Sequence, residues 1–394
     1  MKIAHIITRM IVGGAQENTL YTCLDLQRIH GDDVLLITGP ALGPEGDLLA
    51  KLDRAGEVRT QYIDSLRREI HPLRDWRSLR AMRQALREFQ PEVVHTHSAK
   101  AGILGRVAAH ALKIPAIVHT VHGAPFGPYQ GRGVRWFYQQ CERYAARRCH
   151  ALVSVADAMT DLMVEARIAP RETFTTIYSG MDVEPFLNSS QHRQRMRREL
   201  GFTEDQVVVG KIARLFHLKG HEFVIAAAKP LVEKYPHVRF LFVGDGILRA
   251  QYEREIAAAG LQSHFVFTGL VSPARIPEMI SAMDLLVHCS LREGLARALP
   301  QALLSGIPAV SFDIDGAREV VRTGETGFLL PPAEVKPLVL ALGTLIGDAA
   351  LRDRLGAAGR ALCRERFRHQ YMTEQLRALY LRILSGGEPA RSFA

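Results

Sequence analysis

Short apolar runs rich in β-branched residues, each closed by turn formers, alternate along the chain with longer segments of helical periodicity. The first series is Ile3–Ile7, Val34–Thr38, Val93–Thr96, Ala116–Val121 and Ala151–Val155. Strands that alternate with helical segments predict a parallel sheet covered by helices on both faces. After Asp182 the chain turns polar and arginine-rich over Asn188–Arg198. The pattern then restarts with Val207–Ile212, Val238–Val243, Phe265–Phe267, Leu285–His288 and Ala309–Phe312. The expected fold is therefore α/β, with two doubly wound, Rossmann-like domains over residues 1–185 and 186–394. Ligands in such sheets bind at the carboxyl ends of the strands, so the two domains are expected to face each other across a cleft. The last helix is expected to pack back on the first domain, and Ser385–Ala394 reads as a loose tail.

Composition changes this picture little. A chain of 394 residues with 47% hydrophobic and 23% charged positions suits two globular cores and excludes disorder as the main state. Through residue 185 there are 23 Lys and Arg against 20 Asp and Glu, and beyond it 27 against 21, so the parts carry +3 and +6. That balance fits an anionic small molecule, an acidic lipid surface or nucleic acid. The five cysteines show no C-x-x-C pair and no zinc-like spacing, which points to a reducing cytoplasm. The opening strand is too short for a secretory signal, and no later segment reaches the length of a membrane span.

Candidate chemistry concentrates in the second series. Arg214 and Lys219 follow the strand Val207–Ile212 in KIARLFHLKGHE. Fixed cations there suit a diphosphate whose charge grows as a leaving group departs, although cations after a strand are also ordinary solvated surface. Glu293 follows another strand and precedes a helix expected to begin near Leu295, whose free amides and dipole favour phosphate oxygens while the carboxylate reaches a sugar hydroxyl. A carboxylate that only caps a helix is the plainer alternative.

In the first series, Gly13 and Gly14 open a helix after Ile3–Ile7, which permits close backbone approach to an anion or simply makes a tight turn. His122 follows Ala116–Val121 and is either a hydrogen-bonded structural residue or a group at the sheet's carboxyl edge. His95, His97 and His119 read as core or supporting groups, and Ser98 and Lys100 as cleft-lining ones. Asp313 and Asp315 spell D-x-D, a pattern that can hold a divalent metal. At the end of a strand Asp315 is better read as an N-cap, and Asp245 as a turn former.

Through these motifs the sequence resembles the family 4 glycosyltransferases of the GT-B fold. The resemblance is carried by R(x4)K at Arg214–Lys219, GDG at Gly244–Gly246, EGL(x5)QA(x3)G(x)P from Glu293 to Pro308 and G(x2)EVV from Gly316 to Val321. It extends to GGAQ at Gly13–Gln16, HTHS at His95–Ser98, HTVHG at His119–Gly123 and SGMDVEPF at Ser179–Phe186. It implies a retaining enzyme that needs no metal and moves a sugar from a nucleotide diphosphate sugar, with uridine diphosphate as the family's prior, to a hydroxyl of a glycan or lipid-linked acceptor in cell-surface polysaccharide or lipopolysaccharide synthesis. Arg214 and Lys219 would hold the diphosphate, Glu293 and the backbone of Gly294, Leu295 and Ala296 the sugar and phosphate, and His122 would lie near the donor sugar. Gly13, Gly14, Gly244, Gly246 and Val271 would line the donor site, and Gln16, Ser98 and Lys100 the acceptor side.

One position departs from the family pattern: Gln301 stands where a second glutamate normally binds the ribose. A glutamine amide keeps one acceptor oxygen, so ribose binding is expected to survive with about 1 kcal/mol lost.

Seven arginines between Leu66 and Glu88 place Arg77, Arg80, Arg83 and Arg87 on one helical face. PYQGRGVRWFYQQCERYAARR mixes Trp136, Phe137 and Tyr138 with arginines. Such helices suit peripheral contact with the anionic inner face of a membrane, or packing as amphipathic helices on the core. Rival readings are a nucleotide-sugar epimerase and an inactive sugar-nucleotide-binding subunit. Nucleic-acid binding is disfavoured by the lack of any reading module, and dinucleotide oxidoreduction by the lack of G-x-G-x-x-G after either first strand.

Overall fold

The computed structural model describes residues 1–43, 46–51, 56–127 and 130–386. The chain forms two compact units, Met1–Met181 with Phe367–Ala394, and Asp182–Arg366. It thus passes from one to the other after Met181 and returns after Arg366. Of the expected tail, residues 387–394 lie outside the described residues.

Among the described residues the first unit holds strands β1 (Lys2–Arg9), β2 (Asp33–Gly39), β3 (Arg59–Tyr62), β4 (Val93–His97), β5 (Ala116–Val121), β6 (Ala151–Ser154) and β7 (Phe174–Thr176). They pair in parallel in the order β3-β2-β1-β4-β5-β6-β7. Successive side chains of β1 enter opposite faces, as the pleat requires. Ile3 and Ile7 join Leu36, Val93 and Val118 on one side, while Ala4 and Ile6 join Leu35, Ile37, Val94 and Ile117 on the other.

The second unit holds β8 (Val207–Ile212), β9 (Val238–Val243), β10 (Phe265–Phe267), β11 (Leu285–His288), β12 (Ala309–Phe312) and β13 (Gly327–Leu330). They are also parallel, in the order β10-β9-β8-β11-β12-β13. In both sheets the winding reverses beside the first strand, between β1 and β4 and between β8 and β11. A doubly wound sheet opens its binding crevice at that switch point, beyond the carboxyl ends of the strands.

The last helix, His369–Leu384, lies against the helix Gly14–Arg28 of the first unit. Polar contacts pin it there. Asp25 accepts from His369 Nδ1 at 2.7 Å and from Thr373 Oγ1 at 3.0 Å. Asp32 takes both the N-terminal ammonium at 2.7 Å and Arg377 Nε at 2.9 Å. A buried ion pair, Arg106 Nη2 to Glu142 Oε2 at 2.7 Å, joins the helices Ala99–Ala111 and Arg132–Ala146. No helix among the described residues is long and apolar enough to cross a membrane.

Candidate functional site

In the second unit the loop after β8 is drawn against the loop after β11 by the backbone. Leu291 N donates to Leu218 O at 2.8 Å. Gly220, with φ near +69°, lies so close to β11 that a Cβ would stand 1.9 Å from Cys289 O, so glycine is the residue that fits there. This contact delivers Lys219 to Glu293, with Nζ donating to Oε1 at 2.6 Å. The pair is half-buried, its side chains 22% and 23% exposed, which leaves it reachable from solvent.

Burial by itself would raise the Glu293 carboxyl. The Lys219 ammonium outweighs it and holds the group below the ordinary carboxylate range. His288 Nε2 lies 3.7 Å from Glu293 Oε1. Burial pulls the imidazole's pKa down to about 3, so it stands there as a neutral group.

The backbone around Glu293 is also fixed. Its amide donates to Asp315 Oδ2 at 2.6 Å, and Gly316 N donates to Gly294 O at 3.0 Å. Two expectations change here. The helix following Glu293 runs Ala298–Leu304 and does not begin near Leu295, so Gly294, Leu295 and Ala296 belong to a loop. Pro300 does not prevent the helix, because it falls in the first turn, where its missing N–H is no loss. Asp315 is not the cap of its own helical turn. That turn, Asp315–Glu319, is 3-10, and the carboxylate is used instead on the Glu293 amide. The other member of the D-x-D run, Asp313, is held in a two-bond pair by Arg318 at 2.8 and 2.9 Å.

Gly244 and Gly246 pack on the Arg214 loop. A Cβ on Gly244 would stand 2.2 Å from Ala213 O and one on Gly246 2.3 Å from Leu215 O. Asp245 fixes their turn through Gly246 N at 2.8 Å. The Arg214 guanidinium lies over the Phe216 ring at 5.8 Å. Val271 is half-buried in the loop beyond β10. Gln301 is half-buried in the helix Ala298–Leu304, and its side-chain amide makes no hydrogen bond among the described residues.

At the switch point of the first unit, Gly13 and Gly14 do open the helix Gly14–Arg28. Gly13 is extended, and a Cβ there would meet only the movable Gln16 Oε1 at 2.7 Å. Gln16 Nε2 donates to Arg9 O at 3.3 Å. Ser98 Oγ is bonded to Thr8 Oγ1 at 2.7 Å and accepts from Thr8 N at 3.2 Å, tying β4 to β1. Lys100 is paired with Asp75 at 2.7 Å.

His122 joins a buried row of imidazoles, with its Nε2 3.0 Å from His97 Nδ1. His97 Nε2 is 3.0 Å from His5 Nδ1. His95 meets Tyr380 Oη through Nδ1 and Thr120 Oγ1 through Nε2. Ring nitrogens of His5, His95 and His97 lie within 4.8 Å of one another, close enough to suggest a metal centre. Both nitrogens of His95 and both of His97 are already spent on these bonds, so an ion would have to break them.

His5 and His288 were not singled out from the sequence. His5 could have been found: it sits inside an apolar strand, in register with His95 across the β1–β4 pair. Lys211, fully buried in β8 with no partner for Nζ among the described residues, was also missed, and no spacing signals it.

These arrangements have counterparts among known proteins. The profile described as "Glycosyl transferase 4-like domain" matches residues 13–180, and "Glycosyl transferases group 1" matches residues 192–362. The chain belongs to this glycosyltransferase family. It is 28% identical over 357 residues to the UDP-Gal:alpha-D-GlcNAc-diphosphoundecaprenol alpha-1,3-galactosyltransferase of Escherichia coli, covering 89% of each chain. To the 2-deoxystreptamine N-acetyl-D-glucosaminyltransferase of Streptomyces fradiae it is 26% identical over 368 residues, covering 88% of this chain and 86% of that one.

Among solved structures, HepE of Anabaena in complex with UDP superposes with a TM-score of 0.80 at 22% identity, covering 96% of this chain and 99% of that one. Sucrose-phosphate synthase from Thermosynechococcus elongatus gives 0.81 at 18%, covering 98% and 100%. The fold is GT-B.

Proposed function

We propose that this glycosyltransferase is a retaining hexosyltransferase that uses a uridine diphosphate sugar and delivers the sugar to a hydroxyl of a saccharide or lipid-linked acceptor. The observation that carries the reading is the Lys219–Glu293 pair, held at 2.6 Å where the winding of the second sheet reverses. An ammonium has three donors, and Glu293 uses one. The others are left for diphosphate oxygens, with Arg214 from the same loop as a second cation. The Glu293 carboxylate accepts from sugar hydroxyls, and the Gly294–Ala296 loop, steadied through Gly316, offers backbone amides. Such preorganised charge acts where the negative charge of the departing diphosphate grows.

In this reading the acceptor oxygen forms its bond to the anomeric carbon on the face the diphosphate leaves. The electron pair of the broken bond goes to the phosphate oxygen, which also takes the acceptor's proton. No protein base is required, and no metal has to bridge the phosphates while Lys219 and Arg214 hold them. Excess chelator should therefore leave turnover unchanged. Two names among the compared proteins support the choice of substrates: the Escherichia coli relative uses UDP-Gal and a diphosphoundecaprenol-linked acceptor, and HepE holds UDP.

A lipid-linked acceptor would bring the enzyme to the cytoplasmic face of a membrane. The helix Arg132–Ala146 supports this, because residues 131–137, including Trp136, Phe137, Arg132 and Arg135, are all exposed. Aromatic and basic groups together favour an anionic interface. Equal binding to neutral and anionic vesicles at low salt would remove the membrane from the proposal.

The central test is a thermal-shift panel of nucleotide diphosphates and their sugars. A ligand at a hundredfold its dissociation constant adds about 2.7 kcal/mol. UDP and one UDP-sugar should stabilise the chain and GDP and ADP should not, and the product anomer, read by NMR, should match that of the donor. A panel with no response, or an inverted product, overturns the reading.

A further inference from the structure

The loop after β12 grips the loop after β11 through two consecutive residues. Asp315 Oδ2 accepts from the Glu293 amide at 2.6 Å, and Gly316 N donates to Gly294 O at 3.0 Å. The two strands are neighbours in parallel register, His288 beside Ser311, so their loops leave the sheet side by side. Asp315 has φ near +49°, in the left-handed region that glycine, asparagine and aspartate enter most readily. A glycine would take this conformation more easily, but it would leave the Glu293 amide without its acceptor. Burial raises the half-buried carboxyl of Asp315, and the bond from the Glu293 amide opposes the rise without cancelling it.

Glu293 is thereby held at both ends, its side chain by Lys219 and its backbone by Asp315. Gly294 follows, and a glycine leaves the backbone free to swing unless something anchors it. One anchor lies on the residue before it and the other on its own carbonyl. In a planar trans peptide the C=O and the next N–H point in opposite directions. A Gly294 carbonyl turned to Gly316 therefore directs the Leu295 N–H away from the β12 loop, and that N–H meets no acceptor among the described residues. A carboxylate that accepts from an amide makes a charge-assisted bond, stronger than the same bond to a neutral oxygen, which suits an anchor for a loop that solvent reaches.

We propose that Asp315 is a positioning residue: by holding the Glu293 amide it fixes the backbone from Glu293 to Leu295, so that the Glu293 carboxylate and the Leu295 N–H meet the sugar end of the donor in one arrangement. This rests on the reading above, in which that loop receives the donor sugar. The diphosphate is served by Lys219 and Arg214 of the loop after β8, so loss of Asp315 should weaken the hold on the sugar and spare the hold on UDP.

Two variants separate the bond from the conformation. Asp315→Asn keeps an acceptor oxygen and tolerates the left-handed backbone without the charge, whereas Asp315→Gly keeps the backbone and loses the acceptor. In the full chain, hydrogen exchange of the Glu293 amide, read by NMR, should be slow in the wild type and in Asp315→Asn and about tenfold faster or more in Asp315→Gly. With the UDP sugar that the thermal-shift panel selects, kcat/KM should fall about ten- to a hundredfold in Asp315→Gly and stay within about threefold in Asp315→Asn. Calorimetry with UDP should place both variants within about twofold of the wild type. Fast exchange in the wild type, or an unchanged rate in Asp315→Gly, overturns the proposal, as does faster exchange with full turnover. An equal loss of UDP and UDP-sugar binding overturns it too, since it marks a merely structural residue. A wild type that answers to no UDP sugar is the failure of the earlier reading, and the exchange rates still decide whether Asp315 holds the loop.

Discussion

At the turning point of the first sheet, Thr8 near the end of β1 and Ser98 just after β4 bond to each other, and the polar groups behind them are neutral imidazoles. At the same point of the second sheet, β8 and β11 lead into loops that bring a lysine and a glutamate together as a half-buried ion pair. The strand order is shared and the chemistry is not. Topology decides where a doubly wound unit can bind; the residues on the two central loops decide what. At its switch point the first unit keeps its polarity largely hydrogen-bonded and uncharged, which suits positioning, whereas the second keeps fixed charge within reach of solvent, which suits a charged leaving group.

The strongest way to break that contrast is acid. The first unit buries four imidazoles, His5, His95, His97 and His119, all pulled down by burial. The second buries His221 and His288, lowered to about 2 and about 3 by the same cause. A histidine whose folded pKa lies below its unfolded value near 6.5 leaves the unfolded chain with more bound protons below that pH. Its contribution is fully present above pH 6.5 and is lost as pH falls, at up to about 1.4 kcal/mol per pH unit for each ring. The first unit should therefore lose roughly twice as much as the second between pH 6.5 and 5. Limited proteolysis with mapped cleavage sites reads this directly: the first cuts should fall in the first unit, Met1–Met181 with Phe367–Ala394, and not in Asp182–Arg366. If the second unit opens first, the division into a neutral and a charged unit is wrong.

Next in size is the first unit's one fully buried charge pair among the described residues, Arg106–Glu142, with side chains 0% and 2% exposed. Glu142→Ala strands the guanidinium and should cost about 3–5 kcal/mol of stability. Chemical denaturation measures it. A loss below 1 kcal/mol would mean that water reaches the arginine and that this interior is less dry than the burial implies.

In the second unit the matching experiment concerns rate and not stability. Lys219→Ala removes a donor aimed at developing charge and should lower kcat by about a hundred- to a thousandfold. The half-buried pair adds little to folding, on the order of 1 kcal/mol, so the melting temperature should move by only a few degrees. Undiminished turnover in a folded Lys219→Ala would separate the cation from the leaving group.

Much of this arrangement was legible in the sequence, and the omissions have a common cause. The central strands, buried on both faces, announce themselves as apolar runs, and the runs predicted over Ala116–Val121, Val207–Ile212, Val238–Val243, Leu285–His288 and Ala309–Phe312 coincide with β5, β8, β9, β11 and β12. The strands that went unread, β3, β7 and β13, are all sheet edges of three or four residues. RTQY and FTT carry few apolar side chains and GFLL is too short to show a period, whereas the fourth edge, β10, is wholly apolar as FVF and coincides with the run predicted over Phe265–Phe267.

Within the site, Lys219 and Glu293 could be named one by one, but the contact between Gly220 and Cys289 that joins them is a matter of tertiary approach, 69 positions apart in the chain. Asp315 was misread for a related reason. Local spacing makes an aspartate before a turn look like its cap, while the free amide it serves lies 22 residues away.

The smallest effect concerns Gln301, the position that could weaken the second unit's claim to the donor. Its side-chain amide is half-buried, makes no bond to the described residues, and stands in the helix that follows the Glu293 loop. If the amide oxygen accepts from a ribose hydroxyl, Gln301→Glu replaces a neutral acceptor with a charged one. It should tighten donor binding by about 1 kcal/mol, roughly fivefold. Since the ribose is far from the bond that breaks, ground state and transition state gain alike, so KM for the donor should fall while kcat stays within about twofold. Calorimetry with UDP, which lacks the sugar, should show the same fivefold. A gain in kcat instead would put the position nearer the reacting centre than the ribose. If UDP binding is undetectable in the wild type and restored by Gln301→Glu, the second unit's charged loop is the remnant of a donor site, and the contrast between the units is no longer one of working parts.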